Sequence, residues 1–97
     1  MAEVGDNLDA VVARVVEADD LPGARGPSYR LTLDLGTRGE RVATLSLPNG
    51  AKEDLVGRQV VCLLSGDEAI VLAARSHSHG AVLIRPDEEV EDGSAIA

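Results

Sequence analysis

The densest group of side chains with chemical potential is Ser76-His77-Ser78-His79-Gly80, a polar segment between two apolar runs. Two histidines at a spacing of two can share one side of an extended segment, but a structural zinc usually needs four ligands, and the sequence offers no third histidine. We therefore interpret the segment as a hairpin turn that holds no metal or cofactor. The alternative is a contact of the charged imidazoles with phosphate, because histidines titrate near neutrality.

Four arginines could hold phosphate groups by charge and hydrogen bonding: Arg30, Arg41, Arg75 and Arg85. Proteins that bind single-stranded nucleic acid also use aromatic platforms, on which each stacked base contributes about 1 to 3 kcal/mol. Tyr29 is the one aromatic residue of the chain, and the leucines that follow it at every second position favour a place in the core or at its rim. Base stacking therefore cannot be the main mode of binding.

Catalytic chemistry finds no support in the sequence. It contains neither a G-x-S-x-G nucleophile elbow nor a phosphate-binding P-loop. Cys62 sits in the apolar run V-V-C-L-L, which indicates a buried and inert thiol. The carboxylate pairs Asp19-Asp20 and Glu88-Glu89 are typical of polar loops. We predict that the protein is not an enzyme and has no catalytic residues.

Size and charge limit the classes of protein further. The 97 residues suit one domain with one core, and 17 acidic against 9 basic residues make a polyanion a poor partner by electrostatics alone. The arginine-rich, lysine-poor cations and dispersed acids favour a protein from a salt-rich cell, although a GC-rich genome would give the same bias. The sequence lacks an apolar stretch of about 18 residues, and its N-terminus, M-A-E-V-G-D-N, is polar, so we expect a soluble cytoplasmic protein without membrane contact.

The first half of the chain predicts a meander of three strands. The first is Ala10–Ala18, with Ala13 as the small residue at which a barrel strand bends or bulges. The loop Asp19–Ser28 contains two prolines, so neither neighbouring strand runs through it. From Tyr29 to Leu35 apolar residues alternate with polar ones, and after a glycine turn Arg41–Leu47 returns with Ala43, Leu45 and Leu47 on one side and Val42, Thr44 and Ser46 on the other.

The second half predicts a connection, three strands and a tail. Pro48-Asn49-Gly50 ends the third strand, and Ala51–Val56 is at most one helical turn, closed by Gly57. Three apolar runs without alternation follow, which indicates strands covered on both faces: Val60–Leu64, Ala69–Ala74 and Ala81–Ile84. From Pro86 to Asp92 the tail has five acids and no base, which is typical of a solvated, loosely ordered segment.

Together these elements predict an all-β fold, namely a five-stranded barrel of the oligonucleotide/oligosaccharide-binding (OB) type with a short helical turn and an extra C-terminal strand or tail. We expect one domain over residues 1–97, with polar, loosely ordered ends at 1–7 and 86–97. Strands covered on both faces also favour an oligomer, because a partner subunit can supply the outer cover.

Four segments occur in an order that is typical of one family: V-V-E-A-D-D-L-P-G-A-R, L-D-L-G-T, E-D-L-V-G-R-Q-V-V and R-P-D-E-E-V-E-D-G-S. In this order they resemble the stand-alone tRNA-binding domain family, which includes the C-terminal domain of bacterial methionyl-tRNA synthetases and the CsaA-like proteins. The likeness covers about residues 8 to 96. It implies an OB-type barrel, no catalytic chemistry and a homodimer.

The chain departs from this family at positions that bear on binding. Val11 stands where relatives commonly carry arginine, and Ala13 stands where they carry glycine. In the polar segment after the glycine turn, the resemblance implies binding through Arg41 and Thr44, with Ser46 next. The segment Ser65-Gly66-Asp67-Glu68 replaces a longer, basic connection of the relatives. The resemblance therefore implies a conserved frame that has lost much of its nucleic-acid face.

These observations predict a non-catalytic tRNA-binding protein, accessory to an aminoacyl-tRNA synthetase or to tRNA handling, that recognises tRNA by shape and phosphate contacts. The predicted nucleic-acid-binding residues are Arg41, Thr44, Ser46, Arg30 and Arg75. The alternative is a chaperone-like or protein-interaction dimer that has lost most RNA binding. The missing basic connection and Val11 favour this alternative.

Overall fold

The computed structural model describes residues 9–22, 28–46 and 52–96. Within these ranges two short 3-10 turns, Gly36–Arg38 and Lys52–Asp54, connect strands of an otherwise all-β chain. No helix in the described residues is long and apolar enough to cross a membrane. The strands are β1 (Asp9–Asp20), β2 (Ser28–Asp34), β3 (Glu40–Ser46), β4 (Gln59–Ser65), β5 (Glu68–Val71), β6 (Ala73–Ser76) and β7 (Gly80–Leu83).

Strands β1 to β5 form one antiparallel sheet in the order β3-β2-β1-β4-β5. The sheet curls until its edge strands β3 and β5 lie side by side, with Cα atoms within 8 Å. No backbone hydrogen bond joins residues 40–46 to residues 68–71, and we call this junction the β3–β5 seam. The result is the nearly closed five-stranded barrel of the OB-fold, as predicted. Strands β6 and β7 form a separate hairpin.

Strand β1 is shared between two neighbours. Its first half pairs with β4 from Asp9 to Arg14, and its second half pairs with β2 from Arg14 onward. The register shifts between Val15 and Glu17, which identifies a bulge there. The predicted bend at Ala13 is wrong, since Ala13 pairs regularly with β4 and packs in the core. The irregularity follows directly after the residue at which the strand changes partners, where extra twist is needed.

The core is built by the inward residues of this barrel. In β2 the inward residues Tyr29, Leu31 and Leu33 are buried, and in β3 the inward Ala43 and Leu45 are buried, as the alternation predicted. Leu47 lies outside the described residues. Each fully buried leucine stabilises the fold by about 1.5 to 3 kcal/mol relative to an exposed one. The inner layer comprises Val11, Ala13, Val15, Leu31, Leu33, Leu35, Val60, Cys62, Leu64, Ala69 and Val71.

The prediction of three strands covered on both faces holds for β4 only, where four consecutive residues from Gln59 are buried. Strand β5 alternates, with Ile70 exposed. The predicted run Ala69–Ala74 is divided at Leu72, whose N–H donates to the Val61 carbonyl at 3.0 Å and whose carbonyl accepts from the Ile84 N–H at 3.1 Å. After Leu72 the chain leaves the barrel sheet and forms the β6–β7 hairpin.

The connection before β4 closes one end of the barrel. The turn Lys52–Asp54 is followed by the buried Leu55, which belongs to the core. Gly57 then adopts a φ of 91°, and its N–H donates to the Val15 carbonyl at 2.7 Å. The described part of this connection thus matches the predicted helical turn closed by Gly57, whereas Ala51 lies outside the described residues.

The acidic tail leads into a segment that pairs with the sheet. We call residues 86–96 the C-terminal strap, because its last four residues lie along the edge of β1 that β2 leaves open. The Gly93 N–H donates to the Val12 carbonyl at 2.7 Å, the Val12 N–H donates to the Ser94 carbonyl at 2.8 Å, and the Ile96 N–H donates to the Ala10 carbonyl at 2.8 Å. The expectation of a loosely ordered segment at 86–96 is therefore corrected.

Two polar side chains of the barrel hold the strap. Arg14 donates to both carboxylate oxygens of Glu89, at 2.8 and 3.1 Å, and its Nε lies 3.3 Å from Asp92. The buried Gln59 donates to the Val90 carbonyl at 2.6 Å and to Asp92 at 2.8 Å, and it accepts from the Val90 N–H at 3.1 Å. The hydrogen bond from Arg14 lowers the pKa of Glu89 below its usual range.

Two glycines allow the strap to approach β2. Gly36 has a φ of 64°, and a Cβ there would lie 2.3 Å from the Asp92 carbonyl oxygen. Gly93 has a φ of 92°, and a Cβ there would lie 2.2 Å from the Leu35 carbonyl oxygen. Only glycine tolerates both the left-handed conformation and this close approach. The segments L-D-L-G-T and E-D-G-S are thus direct neighbours in space.

Candidate binding face

Strands β2 and β3 present a polar surface on the side away from the core. The cross-strand pairs there are Ser28 with Ser46, Arg30 with Thr44 and Thr32 with Val42. They point outward because the residues between them in sequence are the buried ones of the core. We call this surface, together with the outward residues of the adjoining half of β1, the outer face. It brings three of the predicted site residues together, namely Arg30, Thr44 and Ser46.

Acidic residues surround Arg30, the arginine that β2 presents on the outer face. Arg14, which also points outward from β1, is paired with Glu89 and Asp92 of the strap. On β1, Glu17 lies opposite Thr32 and Asp19 lies opposite Arg30 in the register of the sheet. At one end of the face Asp34 pairs with Glu40 across β2 and β3. Four carboxylates therefore accompany Arg30, and the local charge has the same sign as the net charge of the chain. Such a surface repels a polyanion at low ionic strength.

Arg41 lies on the other side of β3. Arg41 pairs with the buried Leu33 and lies two residues before the buried Ala43 in the strand. Its side chain therefore leaves the backbone on the inner side of the sheet. Its Nε is buried and has no hydrogen-bond partner among the described residues. Burial raises the pKa of the Cys62 thiol, and the charge of Arg41 opposes that rise. The structure therefore separates Arg41 from Thr44 and Ser46.

Arg75 and the two histidines lie on the β6–β7 hairpin, outside the barrel sheet. Arg75 is exposed and pairs with Ala81. In the turn, Ser76 Oγ accepts from the N–H groups of Ser78 and His79 at 3.2 and 3.1 Å, and Ser78 Oγ lies 2.8 Å from His79 Nδ1. The described residues contain no group of three or more His, Cys, Asp or Glu side chains that could hold a metal ion.

Tyr29, the one aromatic residue, is only 9% exposed and belongs to the core cluster. It therefore offers no exposed platform on which a base could stack. Val11, at which the family resemblance implied a lost basic contact, is likewise fully buried in the core of this chain. The sequence interpretation of Tyr29 as a core or rim residue agrees with the structure.

The β3–β5 seam is a feature that the sequence interpretation missed. A cleft at one end of the seam is lined by Thr32, Glu40, Arg41, Val42 and Asp67. A second depression continues along the seam past Ala43, Thr44, Glu68 and Ala69. Sequence parity would have placed Arg41 on the inner side, but nothing local in the sequence indicates that β3 and β5 meet.

Comparisons with known proteins agree with this architecture, although no family model matches the chain. The crystal structure of the chaperone CsaA from Bacillus anthracis strain Ames superposes with a TM-score of 0.86 at 28% identity, covering 100% of this chain and 99% of that one. The CsaA chaperone protein from Picrophilus torridus gives a TM-score of 0.84 at 25% identity, with 100% of both chains covered. The chain is similar to these CsaA chaperones over its whole length.

A third structure extends the likeness to synthetase relatives. A MetRS-related protein from Pyrococcus horikoshii has a TM-score of 0.80 at 19% identity and covers 100% of this chain and 98% of that one, which shows a common fold. These three neighbours are named as chaperones and as a synthetase relative, and none is named for a catalysed reaction.

Proposed function

We propose that this CsaA-like protein is a non-catalytic, chaperone-like domain that holds extended polypeptide segments on its outer face and along the β3–β5 seam. The observation that carries this proposal is the charge of the outer face, where Glu17, Asp19, Asp34 and Glu40 accompany Arg30. The outward Arg14 adds no free charge, because it is paired with Glu89 and Asp92 of the strap. Exposed hydroxyls and the exposed Val42 offer hydrogen bonds and apolar contact to a peptide. The two CsaA chaperones at 28% and 25% identity support the same function.

The decisive experiment measures the aggregation of a chemically unfolded, basic client polypeptide with and without the protein. We expect suppression at near-stoichiometric amounts and weaker suppression by a variant with Thr44→Lys and Val42→Lys, because both side chains are exposed on the outer face. A matched control is Val56→Lys, an exposed apolar residue of the connection before β4 rather than of β2 or β3. Equal aggregation with and without the wild-type protein would refute the proposal.

The second candidate function is tRNA binding, and the row of outward polar pairs favours it. Arg30 opposite Thr44 and Ser28 opposite Ser46 could donate to phosphate oxygens. At about 1 M salt the Debye length is about 3 Å, so the surrounding carboxylates would repel RNA little. In this candidate the protein presents tRNA to a synthetase.

Titration of labelled tRNA at several salt concentrations separates the two candidates. Saturable binding that weakens in the Arg30→Gln variant would support the tRNA function, whereas binding of clients without RNA would support the chaperone-like one. Arg75→Gln serves as the control, because Arg75 lies on the hairpin away from the outer face. We propose a cytoplasmic location for either function, since both kinds of partner occur there.

We further propose a homodimer through the outward side of the β6–β7 hairpin. Ala74 and Val82 lie opposite each other and are exposed, and Ile84 continues the same side with 39% of its surface exposed. A second copy of the chain could cover this apolar stripe. Light scattering should give twice the 10.1 kDa chain mass for the wild type and the single mass for Val82→Asp. The exposed Val56→Asp should leave the dimer intact.

A further inference from the structure

The cleft at the end of the β3–β5 seam has an unusual chemical composition. It measures about 490 Å³ and is open to solvent on one side, with Thr32, Val42 and Asp67 among its lining residues. Arg41 reaches it from the inner side of β3. An arginine at the mouth of an apolar barrel requires a partner, because a guanidinium loses hydration there.

The partners that the described residues supply to Arg41 are weak. Its Nη1 donates a long hydrogen bond of 3.5 Å to the Glu40 carbonyl, and its buried Nε donates to none of the described residues. The described residues form no ion pair within 4 Å of this guanidinium, although Asp67 lines the same cleft. A buried donor without a partner costs folding free energy, so such a group points to a ligand.

The surroundings select among anionic ligands. Glu40 and Asp67 line the cleft, and Glu68 lines the depression that continues along the seam. A polyanion that placed one charge on Arg41 would place its next charges beside these carboxylates. A single carboxylate fits the planar guanidinium by two parallel hydrogen bonds, and basic groups next to it in a chain would be attracted by the same carboxylates.

We propose that Arg41 is the recognition site for a carboxylate carried by an extended polypeptide whose flanking residues are basic. The segment lies along the seam, with the carboxylate on Arg41 and small or apolar side chains over the buried Ala43 and Ala69. The proposal rests on the chaperone-like function and assigns its substrate class. The carboxylate is either that of an acidic side chain or that of a chain terminus, since the guanidinium can donate hydrogen bonds to both.

Three peptides test this assignment by calorimetric titration. The first is K-V-E-V-K with both ends blocked, the second is K-V-Q-V-K with both ends blocked, and the third is K-V-Q-V-K with a free C-terminal carboxylate. We expect the first to bind about tenfold or more tightly than the second, because the charged hydrogen bonds are absent there. Recovery of binding by the third would assign the site to chain termini. Equal affinity for all three would overturn the proposal.

Variants at Arg41 provide the second arm. Arg41→Met should remove the preference for the acidic peptide, and Arg41→Lys should retain only part of it, because an ammonium lacks the planar fork. Arg58→Met is the matched control, since Arg58 is exposed and lies beside the strap rather than the seam. A preference for the acidic peptide that persists in Arg41→Met would overturn the assignment of Arg41. It would do so whether or not the variant still suppresses client aggregation.

The thermal stability of Arg41→Met separates a binding role of Arg41 from a structural one, because the two roles predict changes of opposite sign. If Arg41 is retained for binding, Arg41→Met should unfold at a higher temperature than the wild type, because it replaces an incompletely paired charge by an apolar side chain of similar length. A clear loss of stability would identify Arg41 as a structural residue and contradict the assignment. The chaperone-like function fails separately, through the wild-type aggregation experiment.

Discussion

At the scale of single residues, the face on which a side chain lies decides its role. Arg41, Thr44 and Ser46 are close in sequence and form one predicted site, yet Arg41 has the parity of the buried Ala43. The alternation that correctly predicted the buried residues of β3 also places Arg41 on the opposite side of the strand from Thr44 and Ser46. The side of β3 on which each residue lies could therefore be predicted from the sequence. The lack of a described partner for the Arg41 Nε could not, because it depends on where β5 lies.

The glycines permit a test at the same scale. Gly36→Ala and Gly93→Ala should each lower the free energy of unfolding by about 3 kcal/mol or more, because a left-handed alanine costs about 1 to 2 kcal/mol and overpacking adds about 1 to 3 kcal/mol. Gly66 is the matched control, with a φ of 60° close to that of Gly36 and no atom within 4 Å of the position that an added methyl group would take. Gly66→Ala should therefore cost the conformational part alone, about 1 to 2 kcal/mol. Urea titration measures all three, and equal costs would contradict the close approach.

At the scale of elements, the strap shows what local sequence patterns leave out. The acidic composition of Pro86–Asp92 predicted a solvated tail, since no local period indicates a strand. Its partners Arg14 and Gln59 lie far away in sequence, and only the fold brings them to Glu89, Val90 and Asp92. The strands with clear alternation, β2 and β3, were predicted correctly because their burial is set by one nearby core.

The pairing of Glu89 with Arg14 makes the strap sensitive to acid. The pKa of Glu89 is lowered in the folded protein, so its contribution is present above the ordinary glutamate range near 4.5 and is lost as the pH falls through the lowered value. Hydrogen exchange of the Gly93 and Ile96 amides should therefore become faster, relative to the amides of β4, as the pH is lowered below this range. Arg14 stays charged throughout, so Glu89 is the member of this pair that titrates.

The matched variant for this experiment is Glu89→Gln, which keeps the length of the side chain and removes its charge. It should show faster exchange at the strap already at neutral pH and a smaller further change on acidification. Glu88→Gln is the control, because Glu88 is exposed and forms no ion pair with the described residues. If Glu88→Gln and Glu89→Gln behave alike, the pairing with Arg14 does not hold the strap.

At the scale of the whole molecule, the formal net charge of −8 dominates the response to salt. Self-repulsion opposes the folded state, and it weakens as the Debye length falls from about 10 Å at 0.1 M to about 3 Å at 1 M salt. We expect the melting temperature to rise over this range of potassium chloride. A protein from a salt-rich cell would need this gain of stability in salt. The origin of this chain in such a cell stays a prediction from its composition.

A charge-reduced variant separates self-repulsion from other effects of salt. Asp87→Asn, Glu88→Gln and Glu91→Gln together change the formal charge from −8 to −5 by removing three exposed carboxylates that form no ion pair with the described residues. The triple variant should melt higher than the wild type at low salt and gain less from added salt. An unchanged salt response would show that repulsion among these acids is not limiting.

The strap also orders events during synthesis. The edge of β1 at Ala10 to Val12 leaves the ribosome well before its partners Gly93 to Ile96, because most of the barrel lies between them in sequence. Until then the nascent barrel exposes an unpaired strand edge, which is a site for association with other chains. Slow translation between β7 and Gly93 should therefore lower the soluble yield without any change in the finished protein.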